Sequence, residues 1–99
     1  MNGQCITDVD PRNYKLAHQR IKKLWNEGKT EITVHAQQRM KQREIDMLDI
    51  ANVIRYGRIT EHTRPKTCWR YSILGKAVDG ERMRCVVEID GNLIIVTVI

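Results

Sequence analysis

The sequence predicts an α+β domain, with N-terminal helices packed on one face of a C-terminal, twisted antiparallel sheet. Three observations predict it. Apolar residues in the first half recur at three- and four-residue spacing, the period of a helix with one buried face. Asp79-Gly80 and Asp90-Gly91 punctuate the last third as hairpin turns do, because glycine accepts the positive φ that a tight turn requires. The closing run Leu93-Ile94-Ile95-Val96-Thr97-Val98-Ile99 is apolar and largely β-branched, which predicts a central strand buried on both faces.

The chain has 99 residues, one domain's worth, and the domain is expected to span 1–99. A chain of this size buries roughly two-thirds of its surface, enough for a core without staples. It contains no Phe, so Trp25, Trp69 and the aliphatics are expected to fill that core.

The elements follow in order. Residues 1–9 carry no strong pattern. Asp10-Pro11 reads as the N-cap and first position of a helix whose apolar stripe is Tyr14, Ala17, Ile21, Leu24 and Trp25, with Gly28 as terminator. His18 is expected on its solvent side. Thr30 to Val34 alternates as a short strand does. A second helix runs from His35 to about Arg43, and Asp46 restarts the chain as a third, with Asp49 in the capping-box position and Tyr56-Gly57 at its end. Arg58 to Thr63 is expected as an edge strand and Arg64 to Thr67 as a basic loop. A three-stranded meander then closes the chain, over Cys68–Ala77, Arg82–Ile89 and Leu93–Ile99. With Asp79-Gly80 as a two-residue loop, Leu74 would face Cys85 and Tyr71 would face Glu88. One face would then hold Leu74, Met83, Cys85, Val87 and Ile89, the other Trp69, Tyr71, Ile73, Arg84, Val86 and Glu88.

Seventeen Lys and Arg against twelve Asp and Glu give a net charge of +5. That balance favours a polyanionic partner, and nucleic acid over membrane, since no basic amphipathic anchor or long apolar run is present. Without a signal-peptide core or a membrane span, the cytoplasm is the expected location. Three cysteines, Cys5, Cys68 and Cys85, are an odd number without C-x-x-C spacing, which argues against a disulfide scaffold and a zinc knuckle. His35 and His62 form no ligand motif with any cysteine, so neither a metal nor another cofactor is expected.

The most unusual pattern lies on the second helix. His35, Gln38, Arg39, Gln42 and Arg43 stand at i, i+3, i+4, i+7 and i+8, one polar, cationic stripe beside Ala36 and Met40. The block His35-x-x-x-Arg39-Met40-x-x-Arg43-x-Ile45, a helix ending in Gly57, Trp69-Arg70-Tyr71-x-x-x-Gly75, Asp79-Gly80, Arg84-x-Val86-Val87 and the closing apolar run together resemble a small bacterial family catalogued as a domain of unknown function. Its sequences are similar to the RelE, BrnT and MqsR kinds of toxin. The resemblance covers roughly residues 30–99. It implies a compact, RelE- or barnase-like α+β fold, metal-independent endoribonuclease activity as the toxin of a toxin–antitoxin pair, RNA (mRNA above all) as substrate, and a cognate antitoxin as partner. His35, Arg39, Arg43, Arg70 and Arg84 are the positions that match.

Metal-free RNA cleavage needs a base for the 2′-hydroxyl, cationic donors for the transition state and an acid for the leaving oxygen. His35 is the natural acid or base. Arg39, Arg43, Arg70 and Arg84 offer forked donors to phosphate oxygens. Tyr71 could give a proton or stack on a base, and Glu88 could orient Tyr71 or serve as the base instead. Each also has a structural role open to it: His35 as a helix cap, Arg39 and Arg43 as a docking seam, Arg70 and Arg84 as cross-strand partners of Glu88, Tyr71 as core. The rival reading is a non-catalytic RNA- or protein-binding module of the same fold.

Overall fold

The computed structural model describes residues 10–65 and 68–99. The loop expected at Arg64–Thr67 lies partly outside them, as does Cys5. Three helices and five strands are described: α1 (Tyr14–Asn26), β1 (Thr30–Ile32), α2 (Val34–Arg43), α3 (Met47–Tyr56), β2 (Arg58–Thr63), β3 (Arg70–Lys76), β4 (Arg82–Asp90) and β5 (Asn92–Val98). The fold class is α+β, as the sequence predicts. The sheet has the order β1-β5-β4-β3-β2, and it is mixed: β2, β3, β4 and β5 are antiparallel neighbours, whereas β1 runs parallel to β5. β4, not β5, is the central strand.

Local chemistry sets the helix ends. Asn13, not Asp10, caps α1, and its side chain accepts from the Leu16 N–H. Asp10 instead closes a turn before the helix, accepting Asn13 N–H on its carbonyl and Arg12 N–H on its carboxylate. Thr33 caps α2, accepting from Ala36 N–H while its hydroxyl donates to Val96 O, so one side chain starts the helix and ties it to β5. Asp46 and Asp49 form the capping box of α3 as expected. Asp49 also accepts the backbone N–H of Val78, fastening α3 to the β3–β4 turn. His18 is not a solvent-facing residue: its Nε2 donates to Ile54 O at 2.6 Å and ties α1 to the end of α3.

The β3–β4 register differs by one residue from the sequence expectation. Ala77 N–H donates to Glu81 O and Gly80, at φ 93°, lies in the left-handed region, so the loop has three residues, Val78-Asp79-Gly80, with glycine last. Tyr71 therefore faces Val87, Ile73 faces Cys85, Leu74 faces Arg84 and Arg70 faces Glu88. The slip exchanges the faces of β3 but not of β4. Tyr71 and Ile73 join Met83, Cys85, Val87 and Ile89 in the core, and Leu74 turns outward. A bulge in β5 has a related effect: Val86 faces Thr97 while Val87 faces Ile95, leaving Val96 unmatched. Leu93, Ile95 and Val98 are buried, and Ile94, Val96 and Thr97 only partly, so β5 is not sealed on both faces.

The core lies between the helices and one face of the sheet. Ala17 and Ile21 of α1, Ala36 of α2 and Ile50, Val53 and Ile54 of α3 meet the inward residues of β3, β4 and β5. Trp25 and Trp69 pack against this cluster from its margin, so aliphatics and Tyr71 fill its centre. Cys85 is buried and free, and burial pushes its thiol up to about 12. Cys68 is disulfide-bonded; an odd number of cysteines argues against a scaffold of several bridges but does not forbid a single bond.

Candidate nucleic-acid interface

With the helices on one side, the other side of the sheet carries none among the described residues. Strand alternation and the register place Arg58, Glu61 and Thr63 of β2, Leu74, Ser72 and Arg70 of β3, and Arg84, Val86 and Glu88 of β4 on that open face. Three guanidinium groups and two carboxylates thus share a small grid of three strands. Arg70 and Glu88 stand directly opposite, with Arg70 Nε 3.3 Å from Glu88 Oε1. Arg84 Nη1 lies 3.6 Å from Glu61 Oε1. Glu61 is on β2 and Arg84 on β4, about 10 Å apart across β3. The Arg84 side chain therefore spans the middle strand between the positions of Leu74 and Ser72, which helps bury Ser72.

The two pairs differ in kind. Arg84 and Glu61 are both substantially exposed, with side-chain accessibilities of 40% and 59%, so their attraction is screened and is worth at most about 1 kcal/mol. Arg70 and Glu88 are more enclosed. The Nε of Arg70 is buried and finds no aligned hydrogen-bond acceptor, although Glu88 is close enough for charge attraction. The distance supports an ion pair; the angle denies a good hydrogen bond.

The six residues singled out from the sequence fall into three groups. Arg70 and Arg84 are on the open face. Tyr71 is in the core, 1% exposed, with burial raising its hydroxyl above the usual phenol range and no hydrogen-bond partner for it among the described residues. His35, Arg39 and Arg43 lie on α2, which packs through Ala36 and Met40 on the opposite side of the sheet. His35 and Arg43 are exposed. Arg39 is half-buried and its Nε reaches Val98 O at 3.4 Å, a long contact that helps seat the helix on β5. The end of β5 links the groups, since the backbone of Arg84 exchanges two hydrogen bonds with Ile99.

Sequence reasoning missed two features. Glu61 and Arg58 belong to the open face, yet alternation alone cannot say which side of an edge strand faces the helices. The second is an aromatic cluster. Tyr14 Oη lies 2.7 Å from His62 Nδ1, and His62 meets Tyr14 and Trp69 edge to face. Tyr71 completes it against Tyr14 at 6.5 Å, and Arg64 stacks over Trp69. The fold thus gives His62 of β2 two ring partners, Tyr14 on α1 and Trp69 just before β3. Among the described residues, no group of three His, Cys, Asp or Glu is placed to hold a metal ion.

Residues 32–99 match the family described as a domain of unknown function, DUF4258. The chain belongs to the DUF4258 family. The match begins at the end of β1 and takes in the α2 stripe, α3 and strands β2 to β5, so the open face of this DUF4258 domain lies wholly within it. No curated protein and no solved structure matches the chain. No helix among the described residues is long and apolar enough to cross a membrane.

Proposed function

We propose that the chain binds RNA on its open sheet face and cleaves it without a metal, as the toxin of a toxin–antitoxin pair similar to RelE-, BrnT- and MqsR-like proteins. One observation carries this reading: two carboxylates and three guanidinium groups share a helix-free face of a basic domain. Glu88 is the base, taking the proton of the 2′-hydroxyl. The 2′-oxygen attacks phosphorus, the bond to the 5′-oxygen breaks, and a 2′,3′-cyclic phosphate is left. Arg70 and Arg84 hold the non-bridging oxygens as their negative charge grows. The 5′-oxygen takes its proton from solvent, because neither His35 nor the Tyr71 hydroxyl belongs to this face. An antitoxin would cover the same face. Action in the cytoplasm belongs to the proposal, and the Cys68 disulfide counts against it, since that compartment keeps thiols reduced.

Incubating purified protein with RNA in EDTA tests the reading. Cleavage is expected, with Glu88→Gln and Arg84→Ala losing most of it and His35→Ala retaining it. Intact RNA at high excess of folded protein sinks it.

The second reading, RNA binding without catalysis, is favoured by one fact: both arginines already have acids beside them. Under it, Glu88→Gln would bind RNA more tightly than the native chain, because a repelling carboxylate is gone, and neither protein would cleave.

A further inference from the structure

A cavity of about 540 Å³ opens where α3 ends, β2 begins and the β3–β4 hairpin folds back. Asn52, Tyr56, Arg58, Leu74, Lys76 and Arg82 form its walls, and Gly57 and Gly75 its floor. The floor exists because both glycines lack side chains. A Cβ on Gly75 would come 3.2 Å from the Cα of Gly57 and of Val53, so the end of α3 rests directly on β3.

Three cations line this cavity and no carboxylate does. The charged groups of Arg58, Lys76 and Arg82 have no ion-pair or hydrogen-bond partner among the described residues, while Asn52 Nδ2 donates to the backbone carbonyl of Lys76. Lys76 and Arg82 are moreover direct cross-strand partners, and like charges placed so repel and destabilise a sheet. The negative end of the α3 dipole offers only partial relief, since Gly57 N–H already engages Val53 O and His18 engages Ile54 O. Beside the cations stands Tyr56, 80% exposed, its ring uncovered. Arg58 is in register with Leu74 and Leu74 with Arg84, so the cavity continues into the row of the open face that ends at Arg84.

We infer that this cavity is a subsite for one nucleotide of a single-stranded RNA, its phosphate held by Arg58, Lys76 and Arg82 and its base stacked on Tyr56. An acidic protein segment would satisfy the cations but leave the exposed ring unused, so nucleic acid fits the arrangement better. The inference deepens the RNA reading and rests on its choice of RNA, not on cleavage. Its volume falls in the range of cavities that hold small organic ligands.

The test is binding of a fluorescently labelled single-stranded oligoribonucleotide, followed by polarisation across a salt series, with EDTA present. The triple variant Arg58→Ala/Lys76→Ala/Arg82→Ala is compared with the native chain and with a control, Lys41→Ala/Arg43→Ala, that removes charge from α2. The triple variant is expected to lower affinity at least tenfold and to flatten the log affinity against log salt slope by about 0.7, the share of the one phosphate that the three cations hold. Tyr56→Ala should cost fivefold or more, and Tyr56→Phe little, since stacking needs only the ring. All these positions are at the surface, and circular dichroism checks their folding. Equal losses in triple variant and control, or an unchanged affinity in Tyr56→Ala, overturn the inference. So does displacement of the RNA by polyglutamate at equal charge concentration, which would mark a site for acidic protein. Binding that depends on the cavity in a chain that never cleaves would defeat the nuclease reading and leave the subsite standing; cleavage with unaffected binding in the variants would do the reverse.

Discussion

At the residue scale, burial decides what a side chain can do. Tyr71 has the chemistry of a proton donor, yet its hydroxyl is buried with no hydrogen-bond partner among the described residues. A buried unsatisfied hydroxyl costs about 1–3 kcal/mol. Tyr71→Phe should therefore be at least as stable as the native chain in urea; a loss of stability would show that the hydroxyl has a working partner. Glu44 is a second case. It ends α2 with φ 54°, a left-handed conformation that costs a residue with a side chain about 1 kcal/mol or more. Glu44→Gly should raise the urea midpoint accordingly. Neither property could be read from residue type: tyrosine and glutamate are common at active sites, and only burial and φ tell what these two are doing.

At the element scale, α3 is the piece that organises the hairpin end of the molecule. Asp49 caps its own helix and holds the β3–β4 turn, and these bonds, from Val78 N–H first and Asp46 N–H second, keep its carboxyl below the ordinary 3.8. A depressed carboxylate contributes stability that is fully present above its ordinary range and is lost as pH falls through its folded value. Asp49→Ala should cost about 1–2 kcal/mol at neutral pH. The gap between native and variant stability should close as pH drops below about 3.8, measured by urea unfolding at each pH. Gly75 has the opposite dependence on a side chain. Gly75→Ala puts a methyl group against Gly57 and Val53 and should destabilise by about 1–3 kcal/mol, read as a lower melting temperature with the same fold. The capping box was legible in the sequence because it is a local pattern. The close approach of Gly75 to Gly57 was not, because it joins residues far apart in the chain.

For the whole molecule, the sheet order sets a gradient of protection. β4 is paired on both sides through its middle, with β3 over Arg82–Glu88 and with β5 over Cys85–Asp90, whereas β1 has three residues and one partner. Hydrogen exchange should be slowest in β4 and the neighbouring parts of β3 and β5, and fastest among the strands in β1. A uniform rate across the sheet would mean that it opens only by global unfolding. The same order gives the sheet two unlike faces, one covered by the three helices and the other, among the described residues, without a helix.

Periodicity and turn residues by themselves determined the helices, the meander and the α+β class. These are short-range or summed properties, and each can be counted along the chain. Tertiary structure alone decided the parallel pairing of β1, the one-residue register of β3 against β4, and with them the faces on which Tyr71, Arg70 and Arg84 stand. The reason is physical: a strand's side-chain period is two, so a loop longer by one residue sends the same alternating pattern to opposite sides of the sheet.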